Sequence, residues 1–273
     1  MENTKKIKTY AAIILDKSGS MEKIREQAIN NFNEQIQTLK NESNDPKAIT
    51  KKLLHGSENP VGVETLLTLV SFADNVTFHC FNEEVNKVDE FDPKEYKPNG
   101  STAMRDAIGD TIDRIVKEAP DLDQPDVGVL MIIVTDGFEN ASKRWGGEEG
   151  RKRLASRVEE LEKTGKWTVT FMGCENALEE SRSLGISAGN TASWQATAQG
   201  MTYATATHTV GTRNYMNERL MHKTSVDNFY AGINEDDVKA VEEDLKKKYG
   251  KKSETKLPPD ATVWKATTDK DNV

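Results

Sequence analysis

The chain has 273 residues, 36% of them hydrophobic and 30% charged, with a formal net charge of −8. That length is ample for one large core with extensions, and the negative balance argues against a nucleic-acid binder that works by neutralising phosphates. No apolar run approaches membrane-spanning length, no signal-type segment opens the chain, and Cys80 and Cys174 match no metal or redox spacing, so a cytoplasmic protein with reduced thiols is expected.

Lys8 to Leu15 reads as a first strand, apolar on both faces as a buried parallel strand should be. Met21 to Lys40 follows as a helix, with Ile24, Ala28, Phe32, Ile36 and Leu39 on one face and Ser20 placed as its N-cap. Asn41 to Pro60 is polar and broken by Pro46, Gly56 and Pro60, which reads as a surface insertion around a short helix at Ala48 to Leu54. Val61 to Phe72 and Val76 to Phe81 read as two strands around the turn Ala73–Asp74–Asn75, a hairpin at a sheet edge. Beyond a loop ending in Pro98–Asn99–Gly100, the pattern gives a helix Met104 to Glu118 and a strand Val127 to Val134. A helix Arg151 to Lys163 and a strand Trp167 to Met172 come next.

A short helix spans Asn176 to Leu184, and Ile186 marks a last strand. The Ala- and Thr-rich stretch from Ala192 to Lys223 reads as two helical segments broken by Gly200 and Gly211. Asn234 to Tyr249 is a surface helix that opens on Glu235, Asp236 and Asp237, closes on Lys246 to Lys248 as the macrodipole prefers, and stops at Gly250. Residues 251–273, with Pro258–Pro259 and few apolar side chains, read as a flexible tail. Short apolar runs alternating with amphipathic stretches predict an α/β fold, a mostly parallel sheet flanked by helices with one antiparallel edge strand. The expected division is a domain over 1–230, a charged C-terminal helix over 231–250 and the tail.

Three short segments stand where one element hands over to the next: Asp16–Lys17–Ser18–Gly19–Ser20, Gly100–Ser101–Thr102 and Thr135–Asp136–Gly137. In an open parallel sheet, loops beyond the carboxyl ends of strands can converge on one ligand. Asp16, Ser18, Ser20, Thr102 and Asp136 offer only hard oxygen ligands, which select Mg²⁺, Mn²⁺ or Ca²⁺. The spacing of two from Asp16 to Ser20 lets one short loop turn its side chains inward, with Gly19 relieving the backbone. Two carboxylates and three hydroxyls leave a bound dication electrophilic, with a water position that an outside carboxylate can take. Each segment also has a plainer reading: a turn plus helix cap at Asp16–Ser20, a helix N-cap at Thr102, an ordinary turn at Thr135–Gly137.

Together the DxSxS stretch, Thr102 in Gly–Ser–Thr–Ala–Met–Arg–Asp and the Thr135–Asp136–Gly137 turn resemble the metal-ion-dependent adhesion site of von Willebrand factor A domains, a resemblance that covers about residues 8 to 190 and more loosely extends to about 230. The residues from Thr135 to Ser142 look similar to small stand-alone bacterial and phage members. The resemblance implies a Rossmann-like sheet with helices on both faces and one Mg²⁺-like ion at its top. It further implies Ser18, Ser20 and Thr102 as direct ligands and Asp16 and Asp136 acting largely through waters. The expected partner is a protein that supplies a Glu or Asp carboxylate, with no nucleic acid and no membrane, and the chain itself is not expected to be an enzyme.

Asp–x–Ser–x–Ser after a strand also resembles the nucleophile loop of haloacid-dehalogenase-type phosphatases, with Asp16 attacking phosphorus beside Mg²⁺. Ser18 stands where that loop wants a second acid. A further alternative is an assembly component with a silent metal site. Asp106 reads as an acid behind the ligands or in the first helical turn, and Glu139 as an exposed loop acid. Arg144, Arg151, Lys152, Arg153 and Arg157 read as a solvated basic face, His55, His79, His208 and His222 as structural or surface residues, and Trp145 as either exposed or packed on the next helix.

Overall fold

A computed structural model describes residues 6–44, 62–174, 177–230 and 232–250. Six strands, β1 (Lys6–Asp16), β2 (Gly62–Phe72), β3 (Val76–Glu84), β4 (Val127–Thr135), β5 (Trp167–Cys174) and β6 (Thr191–Trp194), form one sheet in the order β3-β2-β1-β4-β5-β6. Neighbouring strands run parallel except β2 and β3, the hairpin at the edge. The helices are α1 (Arg25–Asn44), α2 (Met104–Glu118), α3 (Gly147–Lys163), α4 (Leu178–Ser183), α5 (Ala198–Leu220) and α6 (Glu235–Tyr249).

The two-faced apolar pattern of β1 explains its central place. Ala11, Ile13 and Leu15 pack with Phe32, Ile36 and Leu39 of α1 and with Met201 and Tyr215 of α5. Tyr10, Ala12 and Ile14 point the other way, onto Ile108, Ile112 and Ile115 of α2 beside Leu154 and Val158 of α3. Two core layers therefore sandwich the sheet, which is the Rossmann-like arrangement expected. α6 lies on α5 through Val238, Val241 and Leu245 against Ala206 and Val210.

Several expectations need correction. Gly19–Ile24 is a 3₁₀ segment, so α1 begins only at Arg25, and Ser20 caps nothing. α1 runs on to Asn44, into the stretch read as an insertion; the rest of that reading, with its short helix, and the tail at 251–273 lie outside the described residues. α3 starts at Gly147 rather than Arg151, its first turn carrying Glu148 and Glu149. The last strand is Thr191–Trp194, not at Ile186.

The stretch after it is one helix of 23 residues rather than two. Gly211 does not break α5, because it is there for fit: a Cβ would stand 2.4 Å from the Phe229 ring. Gly200 sits in the first turn, where its N–H donates to the N-cap Thr197.

Buried polar pairs tie α5 to α1, with Asn31 donating to Thr205, Gln35 to Thr209, and Thr212 back to Gln35. At the far end of α5, Arg219 is 1% exposed. Its guanidinium donates to the carbonyls of Lys8, Asp126 and Lys223 and to the Thr9 hydroxyl, fastening the helix to the amino ends of β1 and β4.

Candidate metal centre

From β1 the chain crosses through α1 to β2 on one side, whereas β4 lies on the other side and leads through α3 to β5. The crevice between the carboxyl ends of β1 and β4 is therefore the switch point of the sheet, where ligands of open α/β sheets bind. Pairing of Leu15 with Val134 sets the last residues of these strands, Asp16 and Thr135, side by side.

Asp16 is fully buried. Its Oδ1 accepts from the Ser18 N–H at 2.6 Å, and its Oδ2 accepts from the Thr135 hydroxyl at 2.6 Å. Tyr96, from the loop after β3, donates its hydroxyl to the Asp16 carbonyl at 2.5 Å. Ser18 and Ser20 place their hydroxyl oxygens 3.1 Å apart, and the Ser20 hydroxyl donates to Asp136 Oδ1 at 2.6 Å. Ser20 thus spends its hydroxyl across the crevice, which is why it is not a helix cap.

Thr102 reaches the same place from a third segment. Its N–H donates to the Asn140 side chain at 2.8 Å, and its carbonyl accepts from the N–H groups of Asn140 and Ala141. Ala103, not Thr102, holds the N-cap position of α2, and no side chain caps there. Gly100 just before it has φ +79°, and Asp74 approaches so closely that a Cβ would stand 2.3 Å from a carboxylate oxygen. Only glycine meets both demands. Gly19 makes no such demand: it is not among the positive-φ residues and a Cβ there would meet ordinary contacts, so the backbone relief expected of it is absent.

Gly137 shows the convergence most directly. A Cβ on it would stand 3.6 Å from Ser20 Oγ, 3.6 Å from Thr102 Oγ1 and 4.0 Å from Asp16 Oδ2. Oxygens from two loops, the one after β1 and the one before α2, thus converge on Gly137 in a third. Asp16, Ser18, Ser20, Thr102 and Asp136 are all brought to this crevice or to hydrogen-bonding distance of a residue in it.

Charge at the crevice is undercompensated. Burial pushes the Asp16 carboxyl up to about 6 against the pull of its hydrogen bonds, with the nearby Asp136 charge adding to the rise. Burial also raises Asp136, and the attraction of Lys23 is the weakest of the influences on it. Two desolvated carboxylates among neutral hydroxyls form a donor set that a hard dication would satisfy. Among the described residues no group of three or more His, Cys, Asp or Glu gathers at a metal-sized point, so this hydroxyl-rich crevice differs in kind from a thiolate, imidazole or acid-rich cage.

Acids around the crevice organise loops. Glu139 is not the exposed acid expected: its carboxylate accepts from the N–H groups of Arg105, Ala141 and Ser142 and from the Ser142 hydroxyl. Asp106 accepts from the N–H groups of Lys143 and Trp145, so it holds the following loop onto α2. Trp145 is packed, 8% exposed. The basic face is largely ion-paired, with Arg144 on Asp110 and Asp113, Arg151 and Lys152 on Glu148, and Arg157 on Glu160. For the phosphatase-type reading, Asp16 is poorly placed as a nucleophile, since it is buried with both oxygens engaged.

No family model and no curated protein matches the sequence. Among solved structures the chain is similar to "von Willebrand factor type A from Catenulispora acidiphila", at 13% identity and TM-score 0.49, over 78% of this chain and 43% of that one. It is similar to proximal thread matrix protein 1 from the mussel byssus, at 13% identity and TM-score 0.42, over 72% and 46%. It is also similar to the ArnB paralog VWA2 from Sulfolobus acidocaldarius, at 16% identity and TM-score 0.36, over 63% and 36%. Another structure of the mussel protein, at 16% identity and TM-score 0.36 over 87% and 46%, has a zinc-occupied MIDAS motif. The chain spans less than half the length of each of these proteins. They include von Willebrand factor A proteins, the family whose motif the sequence resembles.

Proposed function

We propose that this chain is a metal-dependent protein-binding domain, in which a divalent cation held by Asp16, Ser18, Ser20, Thr102 and Asp136 captures an acidic residue of a partner protein. The observation that carries this reading is the convergence of Asp16, Ser20 and Thr102 oxygens on the Gly137 position, with Asp136 joined to them through Ser20. Mg²⁺ or Mn²⁺ suits the sparsely acidic donor set better than Ca²⁺, which usually recruits more carboxylates. When bound, the ion would supply an electrophilic centre with room for an outside carboxylate. The chain's own part is to hold the ligands still. Thr135 and the Ser18 N–H orient Asp16, Ser20 orients Asp136, and the 139–142 loop fixes Thr102.

The two cysteines, both free, support a reducing, cytoplasmic setting for this module. No helix among the described residues is long and apolar enough to cross a membrane.

The test is thermal unfolding of chelator-treated protein with and without millimolar Mg²⁺ or Mn²⁺, beside Asp16→Ala and Thr102→Ala. A ligand of the folded state raises apparent stability by about 2.7 kcal/mol at a hundredfold excess over Kd. A rise in the wild type that both variants lack supports the site. No rise in the wild type at any of these concentrations removes the metal from the proposal and the function with it.

A further inference from the structure

Three large hydrophobic side chains stand exposed among the described residues: Val116, Phe138 and Met221, at 37%, 53% and 62%. Val116 lies on the outer face of α2, and Met221 follows α5 at the opposite end of the sheet, next to His222 on Asp126. Phe138 is different. It is the residue after Gly137, so its Cα lies about 3.8 Å from that of the glycine around which the oxygens gather.

Its neighbours are all engaged. Thr135 is bonded to Asp16, Asp136 to Ser20, Glu139 to the start of α2 and Asn140 to Thr102. Phe138 takes part in neither main core cluster and in none of the aromatic pairs. A loop this firmly tied has no need of an exposed ring for its own stability, and leaving the ring in water forgoes the gain of burying it. An exposed aromatic on a loop tied at the residues around it suits an interface anchor, because little backbone freedom is lost when it is covered.

Building on the metal-dependent reading above, we infer that Phe138 selects the partner: the captured carboxylate belongs to an acidic residue whose own chain carries a large apolar group beside it, and that group packs on the Phe138 ring. The ion and Phe138 then read two features of one ligand. The oxygens fix the carboxylate, and the ring tells an acid with apolar surroundings from one in a polar stretch.

Two small carboxylates serve as probes of this division. Acetate offers the carboxylate alone, and 4-methylpentanoate adds a leucine-like branch. Each is titrated into the full chain loaded with Mn²⁺, read by the fall in water-proton relaxation as the carboxylate displaces a bound water. The wild type should bind 4-methylpentanoate more tightly than acetate, by about fourfold for each methylene the ring covers. Phe138→Ser should abolish that difference with Mn²⁺ affinity unchanged, and Phe138→Leu should keep part of it. Equal binding of the two acids by the wild type, or a preference that survives in Phe138→Ser, overturns the inference while leaving the metal reading intact. Absence of Mn²⁺ binding by the wild type overturns both.

Discussion

Thr135 donates its hydroxyl at 2.6 Å to Asp16 Oδ2, the same carboxylate oxygen that faces the space beside Gly137. The two residues end adjacent strands, so the sheet register itself aims the carboxylate. The Thr135 hydroxyl also accepts from the Gly137 N–H at 3.2 Å, joining the carboxylate to the turn that lines the space. Thr135→Val keeps the shape and removes both bonds. Partners behind metal ligands are commonly worth about 10- to 100-fold in metal affinity. Titration of Mn²⁺ into this variant should show a loss in that range, with about 1–2 kcal/mol of stability lost in the metal-free protein. Thr135→Ser should recover most of both. Unchanged affinity in Thr135→Val would mean that Asp16 is aimed by other groups.

Asp16→Asn should separate stability from function. The native carboxylate is fully buried without an opposite charge to offset it, and such a charge costs stability that a neutral amide does not. In chelator, the variant should melt higher than the wild type, by roughly 1–3 kcal/mol in stability. In millimolar Mg²⁺ the order should reverse, since the variant gains nothing from the ion. Equal melting of the two proteins in chelator would contradict the view that Asp16 is strained by burial.

Gly109 lies within α2, where alanine is the better helix former by about 1 kcal/mol. Trp145 occupies the space its side chain would need: a Cβ would stand 2.2 Å from the indole nitrogen. Overpacking of this kind costs about 1–3 kcal/mol. Gly109→Ala should therefore lower the midpoint of urea unfolding despite the gain in helix propensity. A raised midpoint would show that the indole shifts at little cost.

Glu162 gives the protein a pH dependence. Burial, and next the Asp227 charge, push its carboxyl from 4.5 to about 7, and its Oε1 is buried without a hydrogen-bond partner. A folded-state value above the unfolded one means that the folded protein holds this proton more tightly. The contribution is fully present below about pH 4.5 and disappears as pH rises through about 7. Glu162→Gln should match the wild type in stability near pH 4.5 and exceed it at pH 8, on the order of 1–2 kcal/mol. His208 works in the opposite direction, since burial lowers it to about 3 and stability falls as pH drops below its usual 6.5. The test is therefore the difference between variant and wild type across pH, which cancels the histidine. A difference that does not grow with pH would count against Glu162.

The central strand and the loop ends were readable because their signals are local. β1 needs both faces apolar, and Asp16, Thr102 and Asp136 sit directly at element boundaries that the hydrophobic pattern marks. What escaped the sequence depends on distant partners. α5 has no single apolar stripe because α1, the sheet and α6 surround it, and its polar side chains are matched by Asn31 and Gln35, 174 residues away for the pairs with Thr205 and Thr209. A helix buried in this way looks like a broken one when read alone. Ser20 was mistaken for a cap because nothing local shows that Asp136 would claim its hydroxyl. The anchoring of Thr102 by Asn140, and the support of Asp16 by Thr135 and Tyr96, carry no spacing signal at all.

The buried Arg219 has a consequence for how the chain is made. Synthesis delivers Lys8 and Thr9 first and Asp126 much later, yet the groups that accept from this guanidinium wait until residue 219 has left the ribosome, 210 residues after Thr9. Until then the amino ends of the two central strands carry carbonyls that this partner has not yet met, beside strands whose apolar faces invite other chains. A nascent or truncated chain ending before Arg219 therefore lacks the side chain that fastens α5 to the amino ends of β1 and β4, and should associate with other chains more readily than the full chain does.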